Sequence, residues 1–491
     1  MPVNATYTVL LDTDGDGVAE YDATADVRYE RHLVIGRGRD QAREYSPPLS
    51  GLILTSFDNP TGKYSYNNPA SALYGLLIPG RLIQVKAVYA STTYQLGRAY
   101  LRLPREQPYR TQAQVDWDAY DGLAKLVAAE NISTAMYTSI LTSTAIGYVL
   151  DAAGWPAAAR TIDTGITTMA RWWADGINAF EAIKQIVLTE GPGALFHIDE
   201  SGNFVFESRH YRQLTTRSTT SQATFSGTGS EPLFGTAFEY EPGLRGIVNS
   251  CTVPVRAYSS AAGVTIWTAA SGELPATVSP LATKTFAVTC TTDGFSGAAA
   301  VITYSSGSGS TSFNRTSGKT ATLTVTAGAG GCVISALSVT ATTWTITSTY
   351  TSNSVSAATS IANYGVRSFP SEFIPVWIPT ANEARDYCDF MVGRYKDPRP
   401  QVRFSVTNAN ATRLTQALSR KISDRVTIVE GTRAYLNDAF FIESISHDVS
   451  TGMNHQTTFS AEKANATAYW VLGIAGYSEL GPAGLTTILG Y

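Results

Sequence analysis

The sequence predicts a mainly β protein with α+β parts, and three observations predict it. Charged residues make up only 15% of the chain, against about 25% in an ordinary globular domain. Thr, Ser, Gly and Tyr fill the difference, and a wet surface of that kind favours strands and turns over helices, which usually carry Glu, Lys and Ala. Short segments of alternating apolar and polar residues, bounded by turn signals, recur along most of the chain. Helical spacing replaces this alternation in only two regions. At 491 residues the chain also exceeds the roughly 250–300 residues at which a single core stops growing, so several domains are expected.

The first segment, residues 1–111, reads as β structure. Thr6 to Leu11, Arg31 to Ile35, Leu52 to Phe57, Leu82 to Tyr89 and Ala99 to Leu103 alternate, separated by turns at Asp14-Gly15-Asp16-Gly17, Asn59-Pro60-Thr61-Gly62 and Pro79-Gly80. Over residues 112–213 the period changes. Trp117 to Ala129 and Thr138 to Ala153 have helical spacing, and Asn178 to Glu190 has it most clearly. There Asn178 and Glu181 have capping spacing, Phe180, Ile183 and Val187 share a face, and Gly191 ends the helix. A hairpin follows, from Leu195-Phe-His-Ile198 through a turn at Asp199 to Asn203 into Phe204-Val-Phe206. This is a compact α+β domain.

Residues 258–356 change composition again, to Thr, Ser, Ala and Gly. Thr320-Ala-Thr-Leu-Thr-Val-Thr326 and Trp344-Thr-Ile-Thr347 alternate cleanly, which marks a separate all-β module. Ordinary composition resumes behind it. Thr380 and Glu383 form a capping box, and Ala384, Tyr387, Cys388, Met391, Val392 and Tyr395 recur at helical spacing until Lys396-Asp397-Pro398. Strands then return at Val402 to Val406, Arg425 to Val429, Phe440 to Ile445 and Gln456 to Ala461. The module therefore interrupts a domain spanning 214–257 and 357–466, and residues 467–491 form a C-terminal tail rich in Leu and Gly.

A formal charge of -4 and no run of Lys or Arg argue against a nucleic-acid reader. The N-terminus has no basic segment leading into an apolar one, and no apolar stretch of about 18 residues occurs. Cytoplasmic synthesis without membrane insertion is expected. Cys251, Cys290, Cys332 and Cys388 have no metal or redox spacing and read as buried reduced thiols. No nucleophile elbow, HExxH or Walker loop is present. His32, His197, His210, His447 and His455 read as packed or surface residues, so no catalytic residue is expected.

Two weaker candidates concern binding. Asp12-Thr-Asp14-Gly-Asp16-Gly17 offers carboxylates at alternate positions and a Gly at the sixth, as a calcium loop does, but the twelfth position is Ala23 instead of a bidentate acid. A plain Asp-Gly hairpin turn explains it better, and no cofactor is expected. Trp267 and Trp344 in the 258–356 module could contact a glycan, although core packing is the commoner role of such rings.

Taken in order, several segments resemble a known family. Val9-Leu-Leu-Asp-Thr-Asp-Gly-Asp-Gly17, Ile35-Gly-Arg37, Phe57-Asp-Asn-Pro-Thr-Gly-Lys-Tyr-Ser65 and Leu77-Ile-Pro-Gly80 are similar to the N-terminal region of baseplate hub (minor tail) proteins of siphophages of actinobacteria. Val149-Leu-Asp-Ala-Ala-Gly-Trp155, Trp172-Trp173, Ile247-Val-Asn249, Tyr364-Gly365, Phe441-Ile-Glu443, His455-Gln-Thr-Thr458 and Trp470-Val-Leu-Gly473 continue the resemblance. It covers about four fifths of the chain, and the 258–356 module lies outside it.

The resemblance implies two related β-barrel domains, an intervening α/β domain and an inserted β-sandwich-like module, similar to hub proteins of contractile tails. It implies a homotrimeric ring at the virion tail tip that adapts the sixfold tube to threefold parts. The implied partners are the distal tail protein, the tape measure protein and a central fibre, with genomic DNA passing through unread. Two other readings are a secreted carbohydrate-binding β protein and a tail-associated cell-wall hydrolase.

Overall fold

The computed structural model describes residues 2–39, 47–108, 113–227, 238–349, 354–431 and 435–464, with the short pairs 469–470 and 488–489. The C-terminal tail thus falls almost entirely outside the described residues. Most of the chain is β, with α+β parts.

One fourteen-stranded sheet organises the molecule. Its first half comprises β1 (Thr6–Leu11), β2 (Tyr21–Asp22), β3 (Leu33–Arg39), β4 (Pro48–Asp58), β5 (Leu82–Tyr89), β6 (Thr92–Leu101), β7 (Arg105–Gln107) and β8 (Gln114–Tyr120). They pair in the order β2-β1-β5-β6-β8-β4-β3, with β7 also on β8. The second half comes from the other end of the chain: Leu436–Ser450, Asn454–Lys463, Gln401–Thr407 and Phe238–Glu241 in that order, with Arg425–Glu430 and Thr224–Ser226 branching from Leu436–Ser450. Among the described residues the path stays open. The two barrels implied by the resemblance are here two halves of one continuous ladder.

The halves meet where β3 pairs antiparallel with Leu436–Ser450, from Ser444 opposite Gly38 to Val449 opposite Leu33. Side chains cross the same boundary. Leu414, Leu418 and Val449 complete the core built by Tyr7, Val9, Leu33, Phe57 and Val85, while Phe225, Phe404, Phe440 and Phe459 centre the core of the second half.

Periodicity misassigns two boundaries. Trp117 lies in strand β8, and the helix starts only at Gly122, capped by Asp121, whose side chain accepts from the Leu123 amide. Likewise Tyr137–Leu141 is a strand, and the helix runs Thr142–Ala152. In both places pairing with a distant strand overrides local helical spacing: β8 lies against β4, and Tyr137–Leu141 against Thr168–Trp172. The helix Ala179–Glu190 forms as expected, with the Asn178 side chain accepting from the Glu181 amide at 2.8 Å and Gly191 at φ 111°. These helices pack on Phe196, Phe204, Trp172 and Trp173 in a separate core, which Trp377 from the returning chain also enters.

The inserted module is a five-stranded antiparallel sheet centred on Thr320–Thr349. Phe295–Arg315 runs beside that strand through most of its length. The pair bends where Gly307 (φ 74°) meets Gly331 (φ 73°), since a Cβ on Gly307 would lie 2.0 Å from the Gly331 carbonyl oxygen. Both sides of the bend then share one core, Leu323 and Val325 with Ile334 and Val339. A fifth core lies under the helix Ala381–Tyr395, which buries Ala384, Tyr387, Cys388, Met391, Val392 and Tyr395. The four cysteines are buried and free.

The seam supplies a first test. Gly38 has φ 123°, and a Cβ there would lie 2.4 Å from the Glu443 carbonyl oxygen and 2.5 Å from the Ser444 Cα. Gly38→Ala should therefore lower unfolding stability by about 2 kcal/mol or more. Gly36→Ala, two residues away and with nothing within 4 Å, should stay within about 0.5 kcal/mol of wild type in the same denaturant titration.

Candidate functional site

The seam is where buried polar side chains gather, because it joins three bodies: the two sheet halves and the α+β domain. Arg39 ends β3, Glu207 ends the strand Phe204–Glu207, Arg212 follows in the short helix Tyr211–Leu214, and Ser423 and Glu443 come from the second half. All five are buried. Arg212 grips Glu443 with both terminal nitrogens, Nη2 to Oε2 at 3.0 Å, and its Nε donates to the Ser423 hydroxyl at 3.1 Å. That hydroxyl in turn donates to Glu207 Oε2 at 2.5 Å. Arg39 donates from Nη2 to the Ala194 carbonyl at 3.1 Å and lies 3.8 Å from Glu443.

Two arginines and two glutamates balance in charge, and burial acts on them unequally. Desolvation pushes the Glu207 carboxyl up to about 7, against the pull of Arg212. Beside them, burial and then the nearby Arg37 push His197 down to about 3. A buried bidentate pair of this kind contributes little net stability against an apolar substitute, but removing one partner leaves a bare buried charge, which costs several kcal/mol. It fixes the mutual placement of three domains.

A second polar cluster crosses the seam nearby. Tyr7 of β1 is 2.6 Å from His455 Nδ1, His455 Nε2 is 2.9 Å from the Thr457 hydroxyl, and His447 Nδ1 is 2.9 Å from that same hydroxyl. Burial lowers His455 to about 4 and holds His447 well below the usual histidine range. Both rings are therefore neutral structural elements at neutral pH, in keeping with the expectation of packed histidines.

The acidic turn lies at the far end of the first half. Asp12 is buried, and its oxygens accept from the Gly15 amide at 2.6 Å and the Gly17 amide at 3.3 Å. Asp14 accepts from the Asp16 amide and Asp16 from the Val18 amide. The carboxylates of Asp12, Asp14, Asp16 and Glu20 offer oxygens within 4.8 Å of one another, the one such acidic group among the described residues. Glu20 is a member the sequence reading omits, although it occupies the ninth loop position, where calcium loops often place a ligand. These oxygens suit a hard cation in part. Ala23 at the twelfth position is fully buried and supplies no ligand, and Arg81 lies 3.9 Å from Asp12. The loop closes on its own amide donors.

The two tryptophans go to different places. Trp267 packs against the module's own core. Trp344 packs against the α+β core, its indole nitrogen donating to the Ser296 hydroxyl at 3.1 Å and its face covered by the Arg171 guanidinium at 3.7 Å. They do not form a shared platform.

Nothing in the sequence singles out Arg39, Glu207, Arg212, Ser423 and Glu443 as a group, because they are scattered over some 400 positions. The available signal is a charged residue inside an otherwise apolar strand: Glu443 follows Phe440-Phe-Ile442, and His197 sits within Leu195-Phe-His-Ile198.

No family model matches the chain, and no curated protein is similar to it in sequence. Solved structures are similar in fold. A tail protein from Neisseria meningitidis superposes with a TM-score of 0.50 at 9% identity, covering 93% of this chain and 96% of that one. The 43 kDa tail protein of prophage MuSo2 from Shewanella oneidensis gives 0.49 at 12% identity over 93% and 98%. Prophage tail protein gp18 from Listeria monocytogenes gives 0.42 at 8% identity over 93% and 94%. The chain thus has the fold of the Neisseria tail protein across nearly its whole length.

The buried acid and histidines make seam stability depend on pH in opposite directions. Glu207, raised from 4.5 to about 7, adds stability that is complete below 4.5 and lost as pH rises through 7. His197 and His455, lowered from 6.5, add stability that is complete above 6.5 and lost as pH falls. Glu207→Gln removes the first contribution alone. Its unfolding free energy relative to wild type should rise by about 1.4 kcal/mol per pH unit between pH 4.5 and 7 and level off outside that window, as read from urea titrations at a series of pH values.

Proposed function

We propose that this chain is the hub subunit of a phage tail tip, a structural protein acting through its surfaces as a homotrimeric ring. The observation that carries the proposal is a fold shared over nearly the whole chain with a tail protein from Neisseria meningitidis; in the present chain one subunit joins two β halves along one ladder. Three subunits then place six β halves around one axis, which adapts a sixfold tube to threefold parts. That the ladder is open among the described residues supports this reading, since exposed strand edges are ordinarily covered in an assembly.

Exposed apolar side chains add support. Leu49, Tyr66, Tyr74, Ile78 and Leu103 of the first half all stand more than a third exposed, apolar surface that neighbours in such a ring would cover. The distal tail protein, the tape measure protein and a central fibre are the neighbours this position requires. DNA passes through such a ring without being read, in keeping with a net charge of -4.

Light scattering across a concentration series tests the assembly. A mass near three times 52.5 kDa supports the trimeric hub, whereas a stable dimer, or a monomer at every concentration, counts against it.

A further inference from the structure

The inserted module rests on the α+β domain at two places. Its base plugs in through Tyr258, Trp344 and Ile346, and the Tyr258 hydroxyl donates to the Arg171 carbonyl at 2.7 Å. The second contact is made by the far turn of the long hairpin, which the glycine bend brings back toward the same domain. There the Gly318 amide donates to the Ser133 carbonyl at 3.3 Å, and a Cβ on Gly318 would lie 1.9 Å from the Ser133 hydroxyl. Module and domain touch so closely here that only glycine fits.

Asp293 is fully buried in this second contact. The Ser133 hydroxyl donates to its Oδ2 at 3.0 Å, while its Oδ1 is buried without a donor. The side chain beside it is another carboxyl, Asp175 of the α+β domain, within hydrogen-bonding reach. A buried carboxylate oxygen without a donor is costly, and two carboxylates cannot satisfy one another unless one keeps a proton.

The other charged and titratable groups around the pair do not supply the missing donor. Lys319 of the module reaches Asp175 at 3.1 Å from a half-exposed position. The Arg315 guanidinium donates to the Asp293 carbonyl at 2.7 Å and to the Gly318 carbonyl, and covers the Phe295 ring. It fastens the backbone. Cys290 of the module and Tyr137 of the α+β domain face Arg315 and are uncharged at neutral pH.

We propose that a proton shared between Asp293 and Asp175 latches the inserted module onto the α+β domain, and that the latch loosens when this proton is lost. Burial, opposed by Ser133 and reinforced by Asp175, raises Asp293 from 3.8 to about 6. A carboxyl raised on docking contributes docking stability that is complete below its ordinary value and lost as pH rises through the raised one. The module is held most firmly below about pH 4, loosens as pH rises to about 6, and loosens no further above that.

Hydrogen exchange on the full chain, corrected for intrinsic rates, reads this at the Gly318 amide, with the amides of β5 as an internal control. Wild type should lose protection at Gly318 by up to about tenfold per pH unit between pH 3.8 and 6 and level off above that window, with β5 unchanged over the same range. Asp293→Asn places a permanent amide donor against Asp175 and should hold the protection level from about pH 4 to 6. Asp175→Asn, at an exposed position, should flatten the profile too and serves as the second variant if Asp293→Asn disturbs folding. A wild-type profile that is flat from about pH 4 to 6, or one whose slope persists in both folded variants, would overturn the proposal.

Discussion

The pairing of β3 with Leu436–Ser450 is the constraint on which the rest of the molecule depends. It brings together strands from opposite ends of the chain; His32 and Asp448, which flank it with a 2.7 Å contact, are 416 positions apart in sequence. Closing so long a loop costs chain entropy that grows only slowly with length, so a few well-placed long-range contacts can hold it. The ladder hydrogen bonds, the apolar side chains Val449, Leu414 and Leu418 entering the first core, and the Tyr7–His455 contact provide them.

Around that seam the polar residues determine geometry more than stability. Arg212 with Glu443, Ser423 with Glu207 and Arg39 with the Ala194 carbonyl tie the α+β domain to both sheet halves. Apolar contacts tolerate sliding and repacking, whereas a buried bidentate pair is satisfied in only one arrangement. In the proposed ring each subunit would present two β halves at a fixed angle to identical neighbours, and that rigidity would keep an angular error from being repeated around the axis.

How much of this the sequence reveals depends on whether the determining contacts are local. The helix Ala381–Tyr395 is legible in full: Thr380 caps it and the six apolar residues picked out by spacing are the ones it buries. So are β1 and β5, whose bounds match their alternation. Trp117 and Thr138 mislead because a partner strand elsewhere along the chain decides their conformation. The helix Ala411–Ser419 goes unread, since only Leu414, Ala417 and Leu418 are buried in a polar stretch. Of the acidic turn, three members are read from the alternating carboxylates, and Glu20, at the ninth loop position, is passed over although its spacing is legible. Of the ionic cluster at the seam only Glu443, a charge inside an apolar strand, has a local signature, because tertiary pairing assembles the rest.

The central claim concerns a place in an assembly, and the most direct measurement is electron microscopy of intact particles bearing a gold-labelled antibody to this chain. The account predicts label confined to the tail tip, with three copies of the chain around the tail axis in averaged images. Label spread along the tube or on the head, or particles that carry none, would contradict it.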